Sequence, residues 1–370
     1  MADTPGTMNT ADTARVIKLV QSLKRPKTVF LGKFFPGILK SEHKHIYIDL
    51  EIGNRQVAPY VHPRSKAPDM QLDGFVTRDF QPPTVKLKAE VPVEGAFVRA
   101  AGEQIGGEMT AQERDAANFV RTVTKMRDLF TRREECMAVE SIVTGGLVVN
   151  GVGYAEPIVL NFRRDPALQS VLLGDARWNG GALADPLQDI EDKGELVNNI
   201  EGALITDVYM DLQAWRWARK DPKLKEIINL RRAAGGNTAD IGPTNTVRGA
   251  KLVANMGDYN LWIYQDYKDV INVLPDGTFT VTKCVPVLPP GAVIGVGPDL
   301  EGVHAYGRIE NKKAVKMGQA TTELFMDTWM TDDPSREWVY GEAAPITIPV
   351  RPNACWAMNV FGNPLTFNGN

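Results

Sequence analysis

TAQERDAANFVRTVTKMRDLFTRREECMAVESIVTGG, from Thr110 to Gly146, is the stretch on which the reading of the fold turns. Thr110-Ala-Gln-Glu113 has the spacing of a capping box, in which threonine and glutamate side chains each satisfy a backbone N–H that a helix start leaves unpaired. Gly145-Gly146 offers the left-handed backbone that stops a helix, and neither Pro nor Gly lies between. The spacing predicts one helix over 111–144, about 50 Å long. Ala116, Phe119, Val120, Val123, Met126, Phe130 and Met137 fall in one arc of its wheel, with Arg121, Lys125, Asp128 and Arg132 largely opposite. Toward the C-terminal end Leu129, Cys136, Val139 and Val143 make a second apolar surface. That half should be covered from two directions, as a beam between layers.

Around this beam lies a chain of 370 residues, 43% apolar and 24% charged, enough for two or three domain-sized units of ordinary soluble composition. The net charge of −3 gives no global signal for nucleic acid. Residues 13–41 nevertheless carry Arg15, Lys18, Lys24, Arg25, Lys27, Lys33 and Lys40 with no acid, a basic arm on a neutral body. Cys136, Cys284 and Cys355 are scattered and lack metal-ligand spacing, which points to a reducing compartment rather than a disulfide framework. The N-terminus has no apolar leader core, and no apolar run is long enough to span a bilayer, so neither secretion by that route nor membrane insertion is expected.

Upstream of the beam, Val16, Val20 and Leu23 predict a short amphipathic helix that Pro26 ends. Val29–Pro36 then carries Phe30, Phe34 and Phe35 with nothing nearby in sequence to bury them. Ile46, Ile48, Leu50 and Ile52 alternate with polar residues, as do Val85, Leu87, Ala89 and Val91, so two half-buried strands are expected there. The proline-rich residues between them suit a loop, making 46–91 a long two-stranded ribbon. Such a ribbon has an exposed apolar face and open edges, and we expect it to lie on another subunit.

Downstream, Gly146–Gly153 and Ile158–Phe162 predict a hairpin. Asp185-Pro186 opens a helix that continues through Gly194, Ala203–Tyr209 reads as a strand, Asp211 caps a helix bearing Trp215, and Asp221-Pro222 opens another. Ala233–Gly249 is a loop. Strands are expected at Leu252–Ala254, Leu261–Tyr264, either side of Asp276-Gly277, at Ala292–Val296 and at His304–Ile309. Thr331–Pro334 marks a turn, and Ile346, Ile348, Val350, then Trp356, Met358 and Val360, alternate near the end. The class is α+β, with the helix as its axis.

A search for chemistry returns little. No Gly-Lys-Ser/Thr follows a glycine-rich loop, no Gly-x-Ser-x-Gly occurs, and Gly295-Val-Gly297 with Gly302 has the wrong spacing for a dinucleotide fingerprint and reads as a turn. His43 and His45 could share a strand face but lack a third ligand, and His62 and His304 are isolated. Asp327, Asp332, Asp333 and Glu337 lack the ladder of a calcium loop and read as a capped turn with Arg336 as counter-ion. Trp215 and Trp217 read as core or interface. No catalytic constellation, cofactor site or metal site emerges.

The order of parts, with Trp329-Met-Thr-Asp-Asp-Pro-Ser-Arg-Glu-Trp338 followed by Ala343-Ala-Pro-Ile-Thr-Ile348, resembles the lambda-like major capsid proteins of tailed bacteriophages. Trp329, Asp333, Pro334, Arg336 and Glu337 match the family's C-terminal pattern, and Ala305-Tyr-Gly-Arg-Ile309 is a second similar patch. The resemblance implies the tailed-phage capsid fold, with residues 1–45 as N-terminal arm and 46–100 as the extended E-loop and its base. Residues 101–184 would be a P domain holding the spine helix 111–144, and 185–312 an A domain. Residues 313–345 would be P-domain return strands and 346–370 the C-terminal strands and tail.

It further implies an icosahedral shell of hexamers and pentamers around double-stranded DNA, a non-enzymatic role, and a place in the virion after assembly in the host cytoplasm. Scaffold, portal and decoration proteins would be partners, besides copies of the chain itself. The seven spaced cations of the arm read first as the solvated face of a helix and strand, and any contact with packaged DNA would be non-specific, since the arm shows no base-reading motif. On this reading Phe34, Phe35, Ile46, Ile48, Leu87 and Val91 bury their apolar sides against adjacent subunits. Two other readings compete: a nanocompartment shell of the same fold, and an intracellular enzyme assembled from residues such as His304, Asp332 and Glu337.

Overall fold

The computed structural model describes residues 28–52, 58, 60–66, 69, 74–97, 110–151, 154, 156–226, 246–247, 249–273 and 279–365. The helix expected around Val16–Leu23, most of the loop at Ala233–Gly249 and the Asp276-Gly277 turn lie outside them.

The long helix runs Ala111–Thr144. Its capping box is formed: the Glu113 N–H donates to Thr110 Oγ1 at 3.3 Å and the Thr110 N–H to Glu113 Oε2 at 2.7 Å. At the other end Gly145 takes φ 69° and its N–H reaches the Ser141 carbonyl at 3.1 Å. Arg164 then donates to the carbonyls of Ile142 and, at 2.9 Å, Val143. A buried guanidinium thus satisfies the last turn and meets the negative end of the helix dipole.

Burial along this helix is uneven. Val123, Met126 and Phe130 are buried in the first half, whereas every residue from Glu134 to Val143 is buried. Val120 and Leu129, expected to face the core, are exposed. The first half has a single layer beside it, so positions off that seam face water. That layer is an antiparallel sheet in the order Phe325–Asp332, Ser335–Ala343, Val85–Val91. Val91, Val339 and Ala343 pack on the helix with Met326, and half-buried Val85, Leu87 and Ala89 join them. Gly341 sits under the helix because a Cβ there would lie 2.8 Å from the Phe130 ring and 2.9 Å from the Met126 sulfur.

The second half is covered from two directions, as expected. A seven-stranded mixed sheet in the order Gln169–Val171, Cys355–Asn359, Ala292–Val296, Asp207–Met210, Tyr259–Tyr264, Ala250–Met256, Thr246–Val247 supplies one cover. One face of this sheet shares a core with the long helix, and the other packs against the helices Pro186–Glu201 and Leu212–Ala218. Its central strands 207–210, 292–296 and 355–359 are buried at every position, so the alternation read at Trp356 and Met358 does not mark an exposed face: Ala357 between them is buried too. A three-stranded sheet, Gly37–Lys40, Gly302–Tyr306 and Pro345–Pro349, supplies the other cover. The hairpin Gly146–Val149 with Ile158–Asn161 follows the long helix.

Three local expectations are corrected. Ile46–Ile52 does form a two-stranded ribbon, but with Gly74–Phe80 and not with Val85–Val91. Alternation tells which residues share a face and is silent about which strand lies opposite; Pro82 and Pro83, without N–H groups, separate the two strands. Gly295 is no turn residue but lies inside a buried strand, where its missing Cβ makes room for the Trp356 indole at 2.1 Å from the Cβ position. The strand expected from Ala203 begins at Asp207.

Candidate assembly surfaces

The arm is the first surface to place. Phe30–Phe34 form a short helix, and Val29, Phe30, Leu31, Phe34 and Phe35 are all buried by their own chain. The Phe30 ring lies edge-on to Tyr264 at 4.9 Å and 4.7 Å from Tyr209, and Phe34 meets Tyr209 edge-on at 5.9 Å. A Cβ on Gly302 would fall 2.3 Å from the Phe34 carbonyl oxygen, so glycine there lets the arm lie flat. The expectation that Phe34 and Phe35 are covered by adjacent subunits therefore gives way to burial within the chain. Their partners are more than a hundred residues away in sequence, where inspection of neighbouring residues does not find them.

A carboxylate holds the arm. Glu135, on the buried half of the long helix, accepts from the N–H groups of Val29 at 3.0 Å and Phe30 at 2.9 Å on Oε1, and Leu31 at 2.9 Å on Oε2. The Tyr264 hydroxyl adds a fourth donor at 3.3 Å. Burial pushes this carboxyl above the usual range, against the pull of the four donors. Lys33 pins the same segment from the far side, 2.8 Å from Asp207 and over the rings of Phe34, Tyr209 and Trp262.

Two neighbouring glutamates work in the same way. Glu140 accepts from the Val148 N–H at 2.9 Å and so ties the hairpin to the long helix; burial pushes its carboxyl up to about 7, with Lys268 and Arg133 pulling it down. Glu134 accepts from the Tyr306 hydroxyl at 3.2 Å, beside His304 Nε2 at 3.8 Å. Sequence inspection missed all three, because glutamates at helical spacing read as a solvated face. The signal that could have found them is apolar residues on every side, at Cys136, Met137, Val139, Ile142 and Val143.

The remaining named residues fall in separate places. Ile46 and Val91 are buried within the chain, Ile46 with Phe80, Leu147 and Phe162, and Val91 against the long helix. Adjacent subunits are therefore not what covers these two. Ile48 and Leu87 are half-buried beside the same two clusters. Trp329 and Trp338 pair at 6.5 Å on the face turned away from the long helix of the sheet formed by 325–332, 335–343 and 85–91, with Tyr340 at 6.3 Å from Trp329 and Lys88 over Trp338. The turn between the first two of these strands is Asp333-Pro334, shorter than the expected Thr331–Pro334, since Thr331 and Asp332 are paired with Arg336 and Ser335. Arg336 does not neutralise the aspartates there; it pairs with Glu90 across the sheet at 3.4 Å, while Asp327 pairs with Lys313.

The residues of the enzymatic reading are not brought together. His304 belongs to the sheet covering the buried half of the long helix, whereas Asp332 and Glu337 sit on the other sheet. His45 lies 3.3 Å from Asp79, His43 is exposed, and the His62 ring accepts from the Arg64 N–H. Among the described residues no three His, Cys, Asp or Glu could hold a metal, and no helix is long and apolar enough to cross a membrane. Cys136 and Cys355 are buried and Cys284 exposed, all three free; burial pushes the Cys136 thiol up to about 11, away from thiolate chemistry. Trp215 and Trp217 are half-buried against the mixed sheet's core, as core or interface residues should be.

What the geometry presents, then, is a stiff internal axis with projecting strands and no assembled reaction centre among the described residues. The sequence profile of the family described as "Phage major capsid protein E" matches residues 12–360. The chain belongs to that family. This capsid protein is 22% identical to the major capsid protein of Enterobacteria phage P21 over 327 residues, covering 87% of this chain and 91% of that one. It is 22% identical to the major capsid protein of Escherichia phage lambda over 357 residues, covering 94% and 98%. A crystal structure assigned to the capsid of an Escherichia coli CFT073 prophage superposes with a TM-score of 0.66 at 18% identity, covering 94% of this chain and 98% of that one. The fold is that of tailed-phage capsid proteins, and this capsid protein is a structural component of the virion that assembles with copies of itself.

Proposed function

We propose that this chain builds an icosahedral head shell of hexamers and pentamers enclosing double-stranded phage DNA. The observation that carries the reading is the ribbon Ile46–Ile52 with Gly74–Phe80, whose strands pair only with each other among the described residues and which leaves Tyr47 61% exposed. Two strands with open edges are a weak structure alone and a natural surface for a neighbour. On this reading 46–100 is the E-loop and its base, and 101–184 with 313–345 forms the P domain around the spine helix. Residues 185–312 are the A domain. Ile48, half-buried in the single chain, completes its burial in the shell.

Scaffold, portal and decoration proteins are the further partners, and assembly takes place in the host cytoplasm before the chain resides in the virion. Lys33 and Lys40 are already paired with Asp207 and Glu323, so contact with DNA falls to Arg15, Lys18, Lys24, Arg25 and Lys27, outside the described residues. The test is the native mass of the purified chain by light scattering, with negative-stain images of the same fractions and of a co-expression with scaffold. Rings of five or six, or closed shells, are expected. A chain that stays monomeric even with scaffold would sink the reading.

A further inference from the structure

We propose that Val29–Phe35 is a releasable strap that locks the long helix to the seven-stranded sheet, with Glu135 as its latch and Lys33 as its second pin. The strap bridges two bodies: Glu135 belongs to the long helix, whereas Tyr209, Tyr264 and Asp207 belong to the sheet. Without the strap, the direct packing of the long helix on strands 292–296 and 355–359 would still join those two. The strap's own balance is close. Burying five apolar side chains favours docking, while ordering seven residues of backbone opposes it by a free energy of similar size. The polar pins then decide which state prevails.

Glu135 is built for that decision. Three consecutive N–H groups at a helix start have no partners within the helix, and here a single carboxylate takes all three on its two oxygens. Among the described residues no ion pair reaches Glu135, so its charge is balanced by these donors and the Tyr264 hydroxyl. Pro36, between the strap and the strand Gly37–Lys40, is the natural hinge, since that strand stays paired with Val303–Tyr306 when the strap leaves. The inference rests on contacts within one chain and is independent of how the shell is built.

Native-state hydrogen exchange of the full chain tests it. In the wild type the amides of Phe30, Leu31 and Lys33 should exchange through an opening that leaves residues 136–143 protected. Glu135→Gln keeps the shape but turns an NH2 group toward the Leu31 N–H, donor against donor, and should speed those strap amides about ten- to a hundredfold with 136–143 unchanged. Lys33→Gln should speed the same amides by a smaller factor. This variant leaves Asp207 still accepting from Trp262 Nε1 at 2.7 Å and from Thr206, so it stays informative if the glutamate variant does not fold. Strap amides that exchange only together with 136–143, or that keep wild-type protection in either variant, would overturn the proposal.

Discussion

Glu140 is the residue whose chemistry reaches furthest into measurable behaviour. Its carboxyl, about 7 in the folded chain, lies above the ordinary carboxylate value because burial penalises the charged form more than Lys268, Arg133 and the Val148 N–H favour it. The sign follows: a folded value raised above the unfolded one adds stability that is fully present below the unfolded value and is lost as pH rises through about 7. Stability should therefore fall as pH rises from about 4.5 to about 7, by up to about 3 kcal/mol from this group. Glu140→Gln keeps an acceptor for the Val148 N–H and removes the ionisation. Its unfolding free energy, measured by urea titration across that range, should change with pH less steeply than that of the wild type. Parallel curves for the two chains would show that folding does not raise the Glu140 pKa.

At the scale of elements, the long helix was legible almost to the residue because its signals are local. A capping box and a glycine pair act within four residues of where they stand, and the observed ends, Ala111 and Thr144, are those that the spacing predicts. Thr110→Ala should cost about 1 kcal/mol at the N-terminal turn. Because that half is lightly covered, faster amide exchange should be confined to residues near 113–116, with 134–143 unaffected; equal loosening of both halves would mean that the helix frays as one unit. What was illegible depends on distance along the chain. The alternation at 46–52 and 85–91 gave each strand its faces, but pairing partners are fixed by the turn and by what lies across the sheet, so Gly74–Phe80 went unseen. The arm aromatics failed similarly, since Tyr209 and Tyr264 bury them from elsewhere in the chain. The turn near Pro334, a local signal, was placed to within two residues, while the partner of Arg336, lying across the sheet at Glu90, was not found.

For the whole molecule the question is which apolar surface serves the chain and which serves its neighbours, and two substitutions separate them. Leu87 alternates inward and packs against the cluster beneath the long helix that holds Val91, Met126 and Val339, so Leu87→Asp places a charge in the chain's own core. It should cost about 2–4 kcal/mol of unfolding free energy and lose assembly only as a consequence. Tyr47 lies on the ribbon beside Ile46 but on the opposite face, 61% exposed and across from Asp79. Tyr47→Asp should leave the stability of the unassembled chain within about 0.5 kcal/mol of wild type. If neighbours cover the ribbon, the same change buries an unpaired charge in each of many repeated contacts, and the yield of shells by sedimentation should drop at least about tenfold. Wild-type shell yield from Tyr47→Asp would place that face of the ribbon in solvent. An undiminished stability for Leu87→Asp would mean that Val85–Val91 finds its cover on another subunit after all. The pair is decisive because the fold assigns the two residues opposite roles, although both stand in strands of similar alternation.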